Sequence, residues 1–167
     1  AMSKVTADSA QSNIPSVRYC AADFNGQDNF DLDWLVSQGV DKNKRTLFII
    51  DGVSYFLQAE SFKNLLSVIA SFPEKTQVVF DYAYADILTG GIYLGSEPFK
   101  SSLQTMGEPV TYGIHQEEFM HIMGTLGFEL TELMTPKKIE QLYLTSPTGE
   151  SVQPYGFLNI ASLRRKA

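Results

Sequence analysis

Cysteine is almost missing from this chain. Cys20 stands alone among 167 residues, so neither an internal disulfide nor a four-thiolate metal site can form, and the usage fits a reducing, cytoplasmic setting. Long apolar runs are missing as well: none approaches the roughly 18–20 residues that a membrane span needs, and residues 1–12 lack the basic-then-apolar order of a signal peptide. Positive charge is in deficit, with 13 Lys and Arg against 19 Asp and Glu, a net charge of −6 and a pI of about 4.8. That balance argues against nucleic acid or an anionic membrane as partner, because both reward a basic face, although it leaves room for a local basic patch. What is present is ordinary for a globular domain: 44% hydrophobic residues, enough for a buried core, in a length that suits one domain or part of one.

Residues 1–15 are rich in Ser, Ala and Asn without apolar period and read as a flexible lead-in, which leaves 16–167 as one α/β domain. Residues 17–22 (VRYCAA) read as a short strand ending at Asp23, and Asn25, Gly26, Gln27 and Asp28 supply turn chemistry. Asp31 is placed to cap a short helix. Residues 46–50 (TLFII), continuously apolar and bounded by Arg45 and Asp51, suit a strand buried on both faces. Phe62, Leu65, Leu66 and Ile69 fall at helical spacing before Pro73, and 77–81 (QVVFD) reads as a second buried strand. Strand, helix, strand, helix, strand favours a parallel α/β sheet. Downstream, 99–106 and 117–126 read as helices, with Gly127 ending the second. Residues 128–134 alternate imperfectly, 136–144 suit a short helix, 146–149 form a turn, and 155–164 read as a closing strand able to pair antiparallel with 128–134.

Several tempting motifs fail on spacing. His115 and His121 are six residues apart, about 120° around a helix rather than on the one face a zinc-hydrolase helix requires, so no metal site is expected. Ser54 lacks the Gly-x-Ser-x-Gly setting of a serine hydrolase, and Gly90, Gly91 and Gly95 lack the order that cradles a pyrophosphate. Strand ends are more informative, since open α/β sheets bind ligands at the carboxyl ends of their strands. Asp23 and Phe24 end one predicted strand, Asp51 and Gly52 the next, and Asp81, Tyr82 and Tyr84 the third. A carboxylate accepts from an amine and Phe24 can pack on an aromatic ring, although turns attract Asp for reasons of their own.

At these residues the chain resembles a known family. The runs TLFIIDGVSYFL, QVVFDYAYADIL, GEPVTYGIHQEEFMHIMGTLGFEL and YGFLNIASLRR are similar to those of leucine carboxyl methyltransferase-like, S-adenosylmethionine-dependent O-methyltransferases. The resemblance implies a Rossmann-like class I methyltransferase sheet, of strand order 3-2-1-4-5-7-6 with the seventh antiparallel. It implies S-adenosylmethionine as cofactor, with Asp23 and Phe24 beside the adenine and Asp51, Gly52 and Val53 beside the methionine part. Many relatives carry Glu where Asp51 stands. Asp81 and His115 would be the catalytic candidates, with Tyr82 and Tyr84, expected to be exposed with Tyr93 and Tyr112, facing a carboxylate or hydroxyl acceptor on a small molecule or a protein. The family's first two strands and its Gly-rich loop are not recognisable, so the expectation is a C-terminal portion with 17–22 as the third strand. Missing strands would leave an apolar edge on TLFII, open to a second copy of the chain or to 17–22. The alternative function is a non-catalytic remnant serving as an interaction module.

Overall fold

The computed structural model describes residues 17–26 and 30–167. Residues 1–15, read as a lead-in, lie outside them, as do Gln27 and Asp28 of the expected turn. Asp31 caps α1 (Leu32–Ser37), its carboxylate accepting from the Trp34 amide at 2.7 Å. After β1 (Leu47–Ile50), helix α2 (Ala59–Ala70) buries Phe62, Leu65, Leu66 and Ile69 on one face, and β2 (Gln77–Ala83) returns parallel to β1 with Ile50 opposite Phe80. Then follow α3 (Ser96–Thr105), α4 (Gln116–Thr125), β3 (Phe128–Met134), α5 (Pro136–Tyr143) and β4 (Leu158–Arg165). Gly127, at φ +70°, takes the left-handed conformation that turns the chain from α4 into β3. Thr135 caps α5 by accepting from the Lys138 amide.

The sheet order is β1-β2-β4-β3, with β4 antiparallel to both of its neighbours. That is the 4-5-7-6 half of the class I methyltransferase sheet, as the resemblance implied. The imperfect alternation in 128–134 has a physical cause: the register slips between Leu130 and Glu132, after which Leu133, opposite the buried Ala161, packs against the core. One face of the sheet carries the core, where Val78, Phe80, Ala161 and Leu163 meet Phe62 and Leu66 of α2 and Phe119 and Ile122 of α4. Each such large apolar side chain contributes about 1.5–3 kcal/mol through burial.

Two expectations are corrected. Residues 17–22 form no strand: they carry no regular structure, with Val17 and Tyr19 exposed. Arg18 donates instead to the Gln38 carbonyl at 3.0 Å, which holds the segment beside the end of α1 rather than on the sheet. Nor is 46–50 buried on both faces. Phe48 and Ile50 point inward, but Leu47 and Ile49 are 54% and 69% exposed, because β1 is an edge strand and the helices packed on it cover one side only.

Candidate functional site

The carboxyl ends of β1 and β2 are tied together by hydrogen bonds that need acids and a glycine at fixed places. Asp51 follows β1 directly and is exposed. Gly52, at φ +68°, bends the chain so that its amide donates to Asp81 Oδ1 at 3.0 Å, a conformation in which a side chain would be strained. The buried Ser54 hydroxyl donates to the Asp81 carbonyl, closing the loop onto β2. Burial pushes the Asp81 carboxyl above its ordinary 3.8; the Gly52 N–H pulls it back, and the negative charge of Asp51 pushes it up again. Tyr55 behind this pair is raised by burial, then by Asp81 and Asp51.

A short arm brings the predicted adenine-side residues to the same place. The Asp23 carboxylate accepts from the amides of Asn25 at 3.0 Å and Gly26 at 3.1 Å, making a tight turn. Asn25 then pins the turn to the loop after β1: its Nδ2 donates to the Phe56 carbonyl at 2.9 Å, and its Oδ1 accepts from the Gln58 amide at 2.9 Å. Phe24 comes to rest 4.8 Å from Phe30, ring to ring. Together Phe24, Phe30, Phe48, Ile50, Asp51 and Val53 line a largely apolar groove of about 340 Å³ with one carboxylate at its mouth. Of the residues expected to hold cofactor, Phe24, Asp51 and Val53 therefore converge. Asp23 instead holds its own turn, and the Gly52 amide is bonded to Asp81.

The acceptor-side residues are less closely gathered. Tyr82, expected to be exposed, is 4% exposed and stacks on Phe119 at 5.3 Å with ring planes 16° apart. It shares the inward face of β2 with Val78 and Phe80, so period two sends it toward α4. Tyr112 is buried too, donating to Glu118 at 3.2 Å. Tyr84 and Tyr93 are half-buried, 5.6 Å apart, and Tyr93 donates its hydroxyl toward both Asp86 oxygens, at 2.8 and 2.7 Å. That hydrogen bond is the first cause pushing the Tyr93 phenol up to about 12. His115 is exposed at the start of α4, just after Ile114, whose amide donates to the Ala83 carbonyl at 2.9 Å. It lines an open depression with Gln116, Glu117 and Met120, which shares no lining residue with the Phe24 groove.

Two further residues matter that the sequence did not reveal. Asn25 was legible only as turn chemistry, since its amide reaches backbone more than thirty residues ahead. Asn159 is fully buried on β4 opposite Tyr82, and neither Oδ1 nor Nδ2 has a hydrogen-bond partner among the described residues. Its signal is a carboxamide at an inward position of the apolar run YGFLNIASL.

With this geometry in place, comparison with known proteins gives a consistent picture. The leucine carboxyl methyltransferase family model matches residues 3–70, the part that carries the Phe24 arm, the Asp51 loop and α2. "Putative S-adenosyl-L-methionine-dependent methyltransferase YktD" of Bacillus subtilis (strain 168) is 29% identical over 119 residues, 70% of this chain and 39% of that protein. The chain thus spans about two fifths of the length of the curated relative it matches. Among solved structures, a DUF574 family protein from Streptomyces avermitilis MA-4680 aligns with a TM-score of 0.56 at 11% identity, over 87% of this chain and 53% of that one, which is a likeness of fold. The magnesium protoporphyrin IX methyltransferase of Synechocystis PCC 6803 with bound SAH aligns with a TM-score of 0.43 at 14% identity, over 74% of this chain and 46% of that one. These matches agree with the resemblance to leucine carboxyl methyltransferase-like, S-adenosylmethionine-dependent methyltransferases, and the likeness to the DUF574 protein is one of α/β fold.

Proposed function

We propose that this chain is the acceptor-side part of an S-adenosylmethionine-dependent O-methyltransferase and that the Phe24 groove receives the cofactor. The observation that carries the reading is the convergence of Phe24, Asp51 and Val53 on one apolar groove at the carboxyl end of β1. The chemistry of the lining suits that occupant in part: Phe24 and Phe30 offer rings for the adenine, and the Asp51 carboxylate offers an acceptor for the methionine ammonium. No Gly-rich turn follows a strand at this end among the described residues, so the methionine carboxylate finds no backbone cradle there. S-adenosylmethionine supplies an activated methyl group on a sulfonium, and in-line displacement then asks the protein mainly for proximity and alignment.

The acceptor is a carboxylate or a hydroxyl. A carboxylate, with a pKa near 4, is already ionised and needs no base. A hydroxyl needs one, and His115 or Asp81 is the group that fills the role; the upward shift of Asp81 favours its holding a proton. Tyr84 stands beyond the end of β2 as the acceptor-facing ring, beside Tyr93, while Tyr82 is buried against Phe119. The open β1 edge is where a second copy of the chain would add its own strand, and solution mass reports on that pairing. Calorimetric titration with S-adenosylhomocysteine tests the reading: saturable binding, weakened by Asp51→Asn, supports it, and a flat titration of a folded sample overturns it for this chain.

A further inference from the structure

The opposite end of the sheet is basic in an acidic chain. Seven of the 13 Lys and Arg residues fall in three short stretches, 42–45, 75 and 164–166. The fold gathers them: β1 and β2 start at this end, and antiparallel β4 finishes here with Arg164 opposite Gln77. Lys44, Arg45, Lys75 and Arg164 line, with Leu47 and Gln77, an open cleft of about 670 Å³. Nearby acids neutralise part of this charge, with Asp41 3.7 Å from Lys44 and Glu129 2.6 Å from Arg164. Glu74 is exposed beside Lys75, and neither Arg45 nor Lys75 has an ion-pair partner among the described residues.

Lys75 adds a second observation. At φ +66° it is the single non-glycine residue with positive φ among those described, in a turn where glycine would fit with less strain. The turn is fixed on both sides, by the Lys75 amide on the Arg165 carbonyl at 3.0 Å and the Thr76 amide on the Pro73 carbonyl at 3.1 Å. The Lys75 backbone is thereby fixed while its side chain stands exposed in the cationic cleft.

The lining discriminates between anions. The amides of Thr46, Lys75, Thr76 and Gln77 are all hydrogen-bonded within the chain, so no backbone cradle is left for a phosphate. No aromatic ring lines the cleft to stack a nucleobase, and the overall charge of −6 repels a long polyanion. What the cleft offers is exposed cationic side chains beside an exposed leucine, at the start of a sheet edge that no described residue pairs. We propose that it docks an acidic, extended segment of a partner protein, whose carboxylates meet Arg45 and Lys75 and whose apolar side chain covers Leu47.

The test is fluorescence anisotropy of the full chain with a short labelled peptide alternating Glu and Val, against a Lys–Val peptide, tripolyphosphate and single-stranded DNA. The Glu–Val peptide is expected to bind saturably and to lose affinity as salt rises, because the contacts are exposed charges. The double variant Lys75→Gly, Arg45→Gln is expected to bind it at least about tenfold more weakly, while Lys75→Gly alone keeps or raises the thermal midpoint by relieving backbone strain. Absence of saturable binding, affinity unchanged in the double variant, or tighter binding of tripolyphosphate or DNA than of the peptide would overturn the proposal.

Discussion

Removing the Asn25 side chain should release the Phe24 arm without unfolding the domain. In Asn25→Ala the two 2.9 Å bonds to the Phe56 carbonyl and the Gln58 amide are lost together, and residues 17–26 keep only the Arg18 bond and the packing of Phe24. A hydrogen bond contributes about 0.5–1.5 kcal/mol net, and these are solvent-exposed, so the pair is worth about 1–2 kcal/mol of local stability. At about 1.4 kcal/mol per tenfold, the arm should open about 5–30 times more often. Chymotryptic cleavage after Phe24 reads that opening directly, and hydrogen exchange at the Gln58 amide reports the loss of its acceptor. The midpoint of thermal unfolding should fall by only a few degrees, since α2 and the sheet carry the core. Unchanged exchange and cleavage in the variant would refute the claim that Asn25 is the pin, and a collapse of the whole domain would refute the claim that the arm is a local unit.

Three further outcomes follow from the site. Asp81 has its folded-state pKa raised by burial, so its contribution to stability is greatest below the unfolded value of about 3.8 and declines as pH rises through the folded pKa. Asp81→Asn, which can still accept from Gly52, should therefore gain stability relative to the parent above that pH and lose the advantage in acid; a pH-independent difference in denaturant titrations would contradict this. Asn159→Leu keeps the branching of the side chain and removes two unpartnered polar atoms, so chemical denaturation should show a gain of up to about 1–3 kcal/mol, and a loss of that size would mean that the carboxamide is satisfied in solution. On the proposed O-methyltransferase reading, His115→Ala should slow hydroxyl methylation about 100-fold or more and carboxyl methylation little, a split that equal effects on both would rule out.

Much of the fold was legible because the signals are local. Phe62, Leu65, Leu66 and Ile69 mark α2 by period, Asp31 and Gly127 mark helix ends by their chemistry, and β2 and β4 are apolar enough to be read directly. The errors come from what local pattern cannot contain. The apolar run 46–50 reads as doubly buried, yet burial of Leu47 and Ile49 depends on neighbours that the described residues do not supply. Residues 17–22 have strand-like composition, but a strand exists only through its partner, and Arg18 and Asn25 hold the segment elsewhere. Tyr82 reads as exposed because it follows Asp81 near a strand end, whereas its parity within β2 turns it inward onto Phe119. The Phe24 groove was foreseeable only as residues sharing a ligand; that Phe24, Asp51 and Val53 line one cavity, with Asn25 holding the arm in place, depends on contacts made in three dimensions.

The central claim is that the groove beside β1 is the cofactor site, and amide chemical-shift mapping of the isotopically labelled chain titrated with S-adenosylhomocysteine tests it most directly. The account predicts saturable shifts concentrated at Phe24, Phe30, Asp51 and Val53, with little change at Lys75 and Arg164 at the far end of the sheet. Saturable shifts centred on the His115 depression or the basic cleft, with the groove residues unmoved, would contradict it.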